Sequence, residues 1–180
     1  MRTSTLPDTA IRFAVGPCSL GAILVARGAR GISAILLGDD GDRVRHELRE
    51  RFPGADLLEG GQDAERLVAQ VARFIEDPAA GLDLPPLDVQ GTVFQQRVWG
   101  ALREIPVGST ASYAEIAERI GAPGASRAVA QACGANRLAV AIPCHRVIAS
   151  DGDLAGYRWG IERKQALLER EGAITTSGTA

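Results

Sequence analysis

Three short aliphatic runs open the chain, IRFAV, SLGAILVAR and GISAILLG, separated by Gly16-Pro17 and by the glycine-rich residues 28–31. Apolar runs of this length between turn-forming residues predict strands. The apolar period then lengthens. In DRVRHELRERF, Val44, Leu48 and Phe52 recur every four residues, and in ERLVAQVARFIED the side chains of Leu67, Val71, Phe74 and Ile75 share one helical face. Strands followed by helices with a single apolar stripe predict a small α/β domain, one antiparallel sheet covered by helices.

DPAAGLDLPPLDVQG, residues 77–91, interrupts the pattern with Pro78, Gly81, Pro85, Pro86 and Gly91 and predicts a linker. The division expected is a domain over 1–85, a second over 86–172 and a frayed tail over 173–180. Past the linker the texture is helical. Thr92-x-x-Gln95 is a capping-box pattern ahead of Phe94, Val98, Leu102 and Ile105, and Ser112-x-x-Glu115 repeats it ahead of YAEIAERI, which stops at Gly121. A third helix is expected from about Ser126 to Cys133. Two helices joined by a glycine-containing turn are the components of a helix-turn-helix, although simple packing also produces such pairs. LAVAIPCHRVI is β-branched enough for a short buried strand turning at Pro143. IERKQALLEREG closes the domain as a helix with Ile161, Leu167 and Leu168 inward. The fold class expected is therefore an α/β N-terminal domain and a mainly α C-terminal domain with a helix-turn-helix, winged-helix-like arrangement.

Composition supports a globular protein: 180 residues, 46% hydrophobic and 23% charged. No apolar run approaches a membrane span and MRTSTLPDTA lacks the apolar core of a signal peptide, so a cytoplasmic protein without membrane contact is expected. Three cysteines, Cys18, Cys133 and Cys144, show no C-x-x-C spacing and predict free thiols. The net charge of −2 argues against a uniformly basic nucleic-acid binder, but its distribution is uneven. Between Arg119 and Ser150 there are four arginines, Arg119, Arg127, Arg137 and Arg146, and no acid. A polyanion can approach that stretch. The helix SRAVAQACGA within it is built of small residues, which would let its backbone come close to a partner or to another helix. His46 lies among charged residues and reads as a solvated surface histidine.

Cys144, His145 and Arg146 put a thiol, a base and a cation in consecutive positions. A thiol attacks as the thiolate, and a neighbouring base or positive charge makes thiolate available near neutral pH. In an extended strand adjacent side chains turn to opposite faces, which would keep Cys144 from His145; a kink after Pro143, or a water between sulfur and ring, would restore a relay. The residues alone leave two readings open, a nucleophile with its base or a small buried thiol beside a core histidine. Cys18 and Cys133 have no base nearby in sequence and read as buried apolar side chains.

PCHRV, followed by GYRWG and preceded by Asn136 seven residues ahead of Pro143, resembles the active-site segment of the O6-alkylguanine-DNA alkyltransferases. The likeness extends over FQQRVWGALREIPVGSTASYAEIA, SRAVAQACGANRLAVAIPCHRV and RKQALLEREG, and so spans essentially all of residues 86–172. ISAILLGDD and LPPLDVQGT carry it into the first domain, where it is greatest with the adaptive-response branch of that family. The resemblance implies direct repair of double-stranded DNA, in which Cys144 accepts the alkyl group of O6-alkylguanine, and that of O4-alkylthymine, once per molecule. It makes His145 the base, acting through a water, Glu171 the carboxylate that orients it, Asn136 the brace of the turn and Tyr113 a donor to the flipped guanine. Arg127 would fill the place the base leaves, with Ser126, Ala128 and Arg137 also at the DNA, approached from the minor groove. Val147, Tyr157 and Arg158 would line the base pocket with Tyr113.

No cofactor and no metal is expected, since Cys18 and His46 do not make a zinc site. The four-cysteine zinc module and the activating helices of the adaptive-response branch are not in this sequence, so phosphotriester repair and gene activation are not expected. A monomer is expected. The alternative is a non-enzymatic DNA-binding regulator or lesion-sensing module in which Cys144 is a sensor or merely buried.

Overall fold

The structure, a computed structural model, describes residues 9–175. Most of the tail expected at 173–180 lies outside the described residues. The chain divides into two compact units, with the boundary between Val89 and Gln90.

In the first unit β1 (Ala10–Cys18), β2 (Gly21–Gly28) and β3 (Gly31–Gly38) form the antiparallel meander expected from the three apolar runs. Helix α1 (Gly41–Arg51) then starts at Asp40, whose side chain accepts from the Arg43 amide at 2.8 Å and satisfies one of the unpaired donors of the first turn. Its buried residues are Val44 and Leu48. Helix α2 (Gln62–Glu76) buries Leu67, Val68, Val71, Phe74 and Ile75 on one face. It packs tightly on β1: a Cβ on Gly16 would lie 2.6 Å from Val68 Cγ1.

The sheet is mixed, not antiparallel throughout. A fourth strand, β4 (Asp56–Glu59), pairs parallel with β1 in the order β3-β2-β1-β4. Sequence pattern missed it because DLLE is only four residues long and leaves Leu58 41% exposed. Backbone pairing holds it, flanked by bonds from the Asp56 amide to Thr9 O at 2.9 Å and the Gly60 amide to Phe13 O at 2.8 Å. The stretch expected as a linker is also partly ordered by backbone pairing. Pro78–Ala80 form a 3-10 turn, and residues 86–88 lie along β3, with the Ile32 amide donating to Pro86 O at 3.0 Å and the Asp88 amide to Ile32 O at 2.8 Å.

The second unit is mainly helical. Helix α3 (Val93–Arg103) and helix α4 (Tyr113–Arg119) both begin with complete capping boxes, Thr92 with Gln95 and Ser112 with Glu115. Helix α5 (Ser126–Gly134) follows α4 across a six-residue turn and packs against it, which gives the helix-turn-helix. Trp99 locks α3 onto α5 by donating Nε1 to Ala132 O at 2.9 Å, and the Arg97 guanidinium caps the Ile120 carbonyl at the end of α4. Two-residue strands β5 (Ala111–Ser112) and β6 (Val147–Ile148) pair in parallel. Helix α6 (Ile161–Glu171) ends at Gly172 in the left-handed conformation. Its inward residues are Lys164, Leu167 and Leu168. Ile161, expected inward, is 47% exposed.

Gly31 has φ +141°, and a Cβ there would fall 2.2 Å from Pro86 O, where the 86–88 segment meets β3. Gly31→Ala is expected to lower the free energy of unfolding by more than about 1 kcal/mol in urea titration, because the strained backbone and the displaced segment act together.

Candidate active site

The segment expected as a buried strand around Pro143 is not a strand. Asn136, fully buried after α5, takes over the backbone bonding that a strand would satisfy across a sheet. Its Oδ1 accepts from the Leu138 amide at 2.8 Å, and its Nδ2 donates to Ile142 O at 2.9 Å and to Leu138 O at 3.4 Å. Tight local turns complete the segment, with the Ala141 amide on Ala139 O at 2.7 Å and the Cys144 amide on Ile142 O at 2.8 Å. Val140 is forced to φ 59°, a conformation costly for a β-branched residue.

The chain leaves Pro143 as a 3-10 turn, Cys144–Arg146, with all three side chains buried. This turn removes the geometric objection to adjacent Cys and His, since consecutive side chains no longer alternate across a strand. Cys144 Sγ accepts from Asn136 Nδ2 at 3.2 Å. His145, fully buried, holds Glu171 Oε1 through Nε2 at 2.7 Å, while its Nδ1 is buried without a hydrogen-bond partner. Arg146 does not serve the sulfur. It donates Nε to Glu171 Oε2 at 2.9 Å, Nη2 to Oε1 at 2.9 Å and Nη1 to Ile105 O at 2.7 Å.

These contacts assign protonation states. Burial alone would raise the Glu171 carboxyl, but hydrogen bonds from His145 and Arg146 outweigh it and bring it down to about 2. An ionised carboxylate only accepts, so Nε2 carries the imidazole proton. Burial lowers the His145 pKa against the opposing pull of Glu171, so the ring is neutral and Nδ1 keeps a free lone pair. Burial pushes the Cys144 thiol up to about 11, with the Asn136 hydrogen bond and the Lys164 charge pulling the other way. Cys144 at rest is therefore a thiol next to a competent base.

The remaining expected residues separate into two groups. Tyr113, half-buried at the start of α4, has its hydroxyl raised to about 12 by burial and then by Cys133 and Cys144, which keeps it a donor. Val147 is buried directly after the catalytic turn, and the Tyr157 hydroxyl is buried without a partner, its ring edge-on to Trp159 at 5.4 Å. Ser126, Arg127 and Ala128 instead form the first turn of α5, where Arg127 is exposed, and Arg137 is half-buried in the loop beyond. Arg158 is exposed and donates to Gly134 O at 2.7 Å, closing the end of α5. A cavity of about 230 Å³ follows β5 and β6 past Ser112, Glu115, Ile148 and Ser150; the expected base-pocket residues do not line it.

Of the other cysteines, Cys133 is buried as expected, but Cys18 is only partly so. His46 is exposed and paired with Glu50 at 2.9 Å. Among the described residues no group of three or more His, Cys, Asp or Glu side chains could hold a metal ion, and no helix is long and apolar enough to cross a membrane. Sequence reasoning read Arg146 as a cation beside the thiol, whereas it serves Glu171, and it passed over one residue that organises the site, the fully buried Lys164. The signal for Lys164 was its place between Ile161 and Leu167 on the apolar side of the last helix.

A buried thiol, a histidine oriented by a carboxylate and an adjoining helix-turn-helix define a cysteine-centred protein with a DNA-binding type of scaffold. Residues 93–173 match the family model described as 6-O-methylguanine DNA methyltransferase, DNA binding domain. The chain is 51% identical over 164 residues to the bifunctional transcriptional activator/DNA repair enzyme Ada of Escherichia coli, covering 91% of this chain and 46% of that protein. It is 44% identical over 123 residues to the inducible methylated-DNA–protein-cysteine methyltransferase of Bacillus subtilis, covering 68% of each. The crystal structure of Mycobacterium tuberculosis OGT in complex with DNA matches with a TM-score of 0.73 at 37% identity, covering 90% of this chain and 93% of that one. The chain thus belongs to the methylated-DNA–protein-cysteine methyltransferase family, and it spans about half the length of the first curated relatives it matches.

Glu171 is held well below its ordinary value of 4.5, so its contribution to stability is complete above that value and is lost as the pH falls through about 2. Acid titration of the wild type, followed by circular dichroism, should show destabilisation between about pH 4.5 and pH 2. In Glu171→Gln this contribution should be absent, with lower stability already at neutral pH.

Proposed function

We propose that this chain repairs DNA by moving the alkyl group of O6-alkylguanine onto Cys144, irreversibly and once per molecule, with O4-alkylthymine as a second substrate. The observation that carries this reading is a buried thiol next to a neutral histidine whose Nε2 is held by Glu171 and whose Nδ1 lacks a partner. Kinship with proteins named for methyl transfer from DNA to a protein cysteine supports the same chemistry.

In the step itself Cys144 Sγ attacks the alkyl carbon in line, the C–S bond forms and the C–O6 bond breaks. The bonding pair leaves on the guanine. The thiol proton passes to His145 Nδ1 through one bridging water, because burial leaves too little free thiolate at neutral pH. Tyr113, kept protonated, donates to the departing guanine and limits its negative charge. The guanine anion then takes a proton from water and the His145 imidazolium returns one to water, so the net change is an alkyl group from O6 to sulfur and one proton from the thiol to guanine. No cofactor takes part, and the thioether is stable to water, so the protein is consumed.

Residues 86–172 bind double-stranded DNA and accept the alkyl group, while residues 1–85 support them. Helix α5 enters the minor groove, its small side chains allowing close approach and its first turn free of any side-chain cap. Arg127 takes the place of the rotated base, with Ser126, Ala128 and Arg137 at the backbone, and Tyr113, Val147, Tyr157 and Arg158 surround the flipped guanine. The protein acts as a monomer in the cytoplasm.

Intact-protein and peptide mass spectrometry after mixing with an O6-methylguanine duplex should find one added methylene mass, on the peptide containing Cys144. Cys144→Ser should bind the duplex with unchanged affinity and gain nothing. Binding without transfer by the wild type would favour a DNA-binding regulator. Arg127→Ala should slow transfer from duplex DNA about tenfold, the order expected if the side chain offsets part of the unstacking cost, and leave reaction with the free modified base nearly unchanged. Equal slowing of both would remove Arg127 from base rotation.

A further inference from the structure

Three buried polar side-chain atoms have no hydrogen-bond partner among the described residues: His145 Nδ1, the Tyr157 hydroxyl and Trp159 Nε1. The first is the base of the proposed reaction. The other two are donors on the loop between β6 and α6, and their rings meet edge to face with centres 5.4 Å apart. Trp159 is 4% exposed, and Tyr157 is partly buried with its hydroxyl turned inward. A buried donor left unpaired is costly, and native structures keep few of them. Phenylalanine would give position 157 the same ring and the same edge contact without that cost. The hydroxyl therefore points to a partner that arrives with the substrate.

The place of that hydroxyl narrows the choice. Gly156 O and Val147 O accept from the same Lys164 Nζ, at 3.1 and 2.6 Å, which brings the loop against the exit of the catalytic turn. Cys144 is the first of the charged groups that bear on the hydroxyl, ahead of Glu171 and Arg163, and burial holds the group protonated well above the ordinary tyrosine value. It is thus a permanent donor on the sulfur side of the site. In-line displacement puts Cys144 Sγ, the reacting carbon and guanine O6 in one row. Whatever that carbon carries besides hydrogen projects sideways, toward the side chains around the sulfur. A methyl group carries nothing there. A 2-hydroxyethyl group carries one more carbon and then an oxygen, which can accept a hydrogen bond.

We propose that Tyr157 is a specificity-determining residue whose hydroxyl bonds an oxygen on the alkyl group, so that the site favours neutral oxygenated groups of the 2-hydroxyethyl class over hydrocarbon chains of the same length. Trp159, edge-on to the ring, fixes its orientation. This deepens the proposed function and rests on it. A site built to bond a substrate hydroxyl rejects an analogue lacking it far more strongly than an apolar pocket rejects a missing methylene. A neutral oxygen suits this wall better than a carboxylate, because ionised Glu171 already bears on the same hydroxyl. The guanine has its own donor in Tyr113. Bond changes are those of methyl transfer: C–S forms, C–O6 breaks, the pair leaves on guanine, and the alkyl hydroxyl passes to the sulfur adduct unchanged.

The test times adduct formation on the Cys144 peptide by mass spectrometry, with duplexes carrying O6-methylguanine, O6-(2-hydroxyethyl)guanine or O6-propylguanine. The last two groups have equal numbers of heavy atoms, so their rate ratio within one protein cancels any change common to both. In the wild type, 2-hydroxyethyl is expected to transfer about tenfold faster than propyl, and in Tyr157→Phe the ratio is expected to fall about tenfold. A ratio in Tyr157→Phe equal to that of the wild type overturns the proposal. If circular dichroism finds Tyr157→Phe unfolded, the wild type decides alone: propyl transferred as fast as 2-hydroxyethyl overturns it. A wild type that accepts methyl but neither larger group sinks this inference and leaves the proposed function standing. A wild type that accepts none of the three sinks the proposed function, and the inference with it.

Discussion

Glu171 is an ionised carboxylate with 1% of its side chain exposed, and the second unit is organised around meeting its needs. One oxygen accepts from an imidazole and a guanidinium, the other from the same guanidinium. Through Arg146 the network also reaches the Ile105 carbonyl, just beyond α3. The end of the last helix, the 3-10 turn and the exit of α3 are therefore held by one charge. Removing Arg146 or Glu171 would leave the other as a buried ion without its counter-charge, which costs far more than the pair itself contributes. The same network sets the histidine tautomer, so that what stabilises the unit also prepares its base.

Asn136 plays the matching part for the sulfur. Its amide bonds three backbone groups of residues 138–142 and then Cys144 Sγ, replacing a strand ladder with a compact loop that passes through a strained Val140. Strain of roughly 1–3 kcal/mol at such a position persists only where the surroundings over-determine the backbone. Here they do, with a proline, two tight turns and a saturated amide within nine residues. The result is a thiol held still and protonated, directly ahead of the histidine in the same turn.

Much of the fold was legible from pattern. Three apolar runs became β1 to β3, helical periods became α1, α2 and α3, and both capping-box sequences closed as capping boxes. What escaped was held by backbone bonds instead of buried side chains. β4 carries no apolar alternation, and residues 86–88, read as linker, pair with β3 through amides and carbonyls that every sequence possesses. The strand expected at Pro143 failed for a related reason. β-branched residues satisfy a strand, but a single buried amide offered their backbone a better set of partners.

Local sequence determined which groups were available: a cysteine beside a histidine, an asparagine seven residues ahead of a proline, a helix of small residues opened by an arginine. These are matters of identity and spacing, which a chain carries before it folds. Only the tertiary structure decided their states. It turned Arg146 away from the sulfur and onto Glu171, buried Lys164 against three carbonyls, and left His145 Nδ1 as a free base. Protonation and pairing depend on desolvation and on partners from 8 to 26 residues away, and neither exists until the chain has packed.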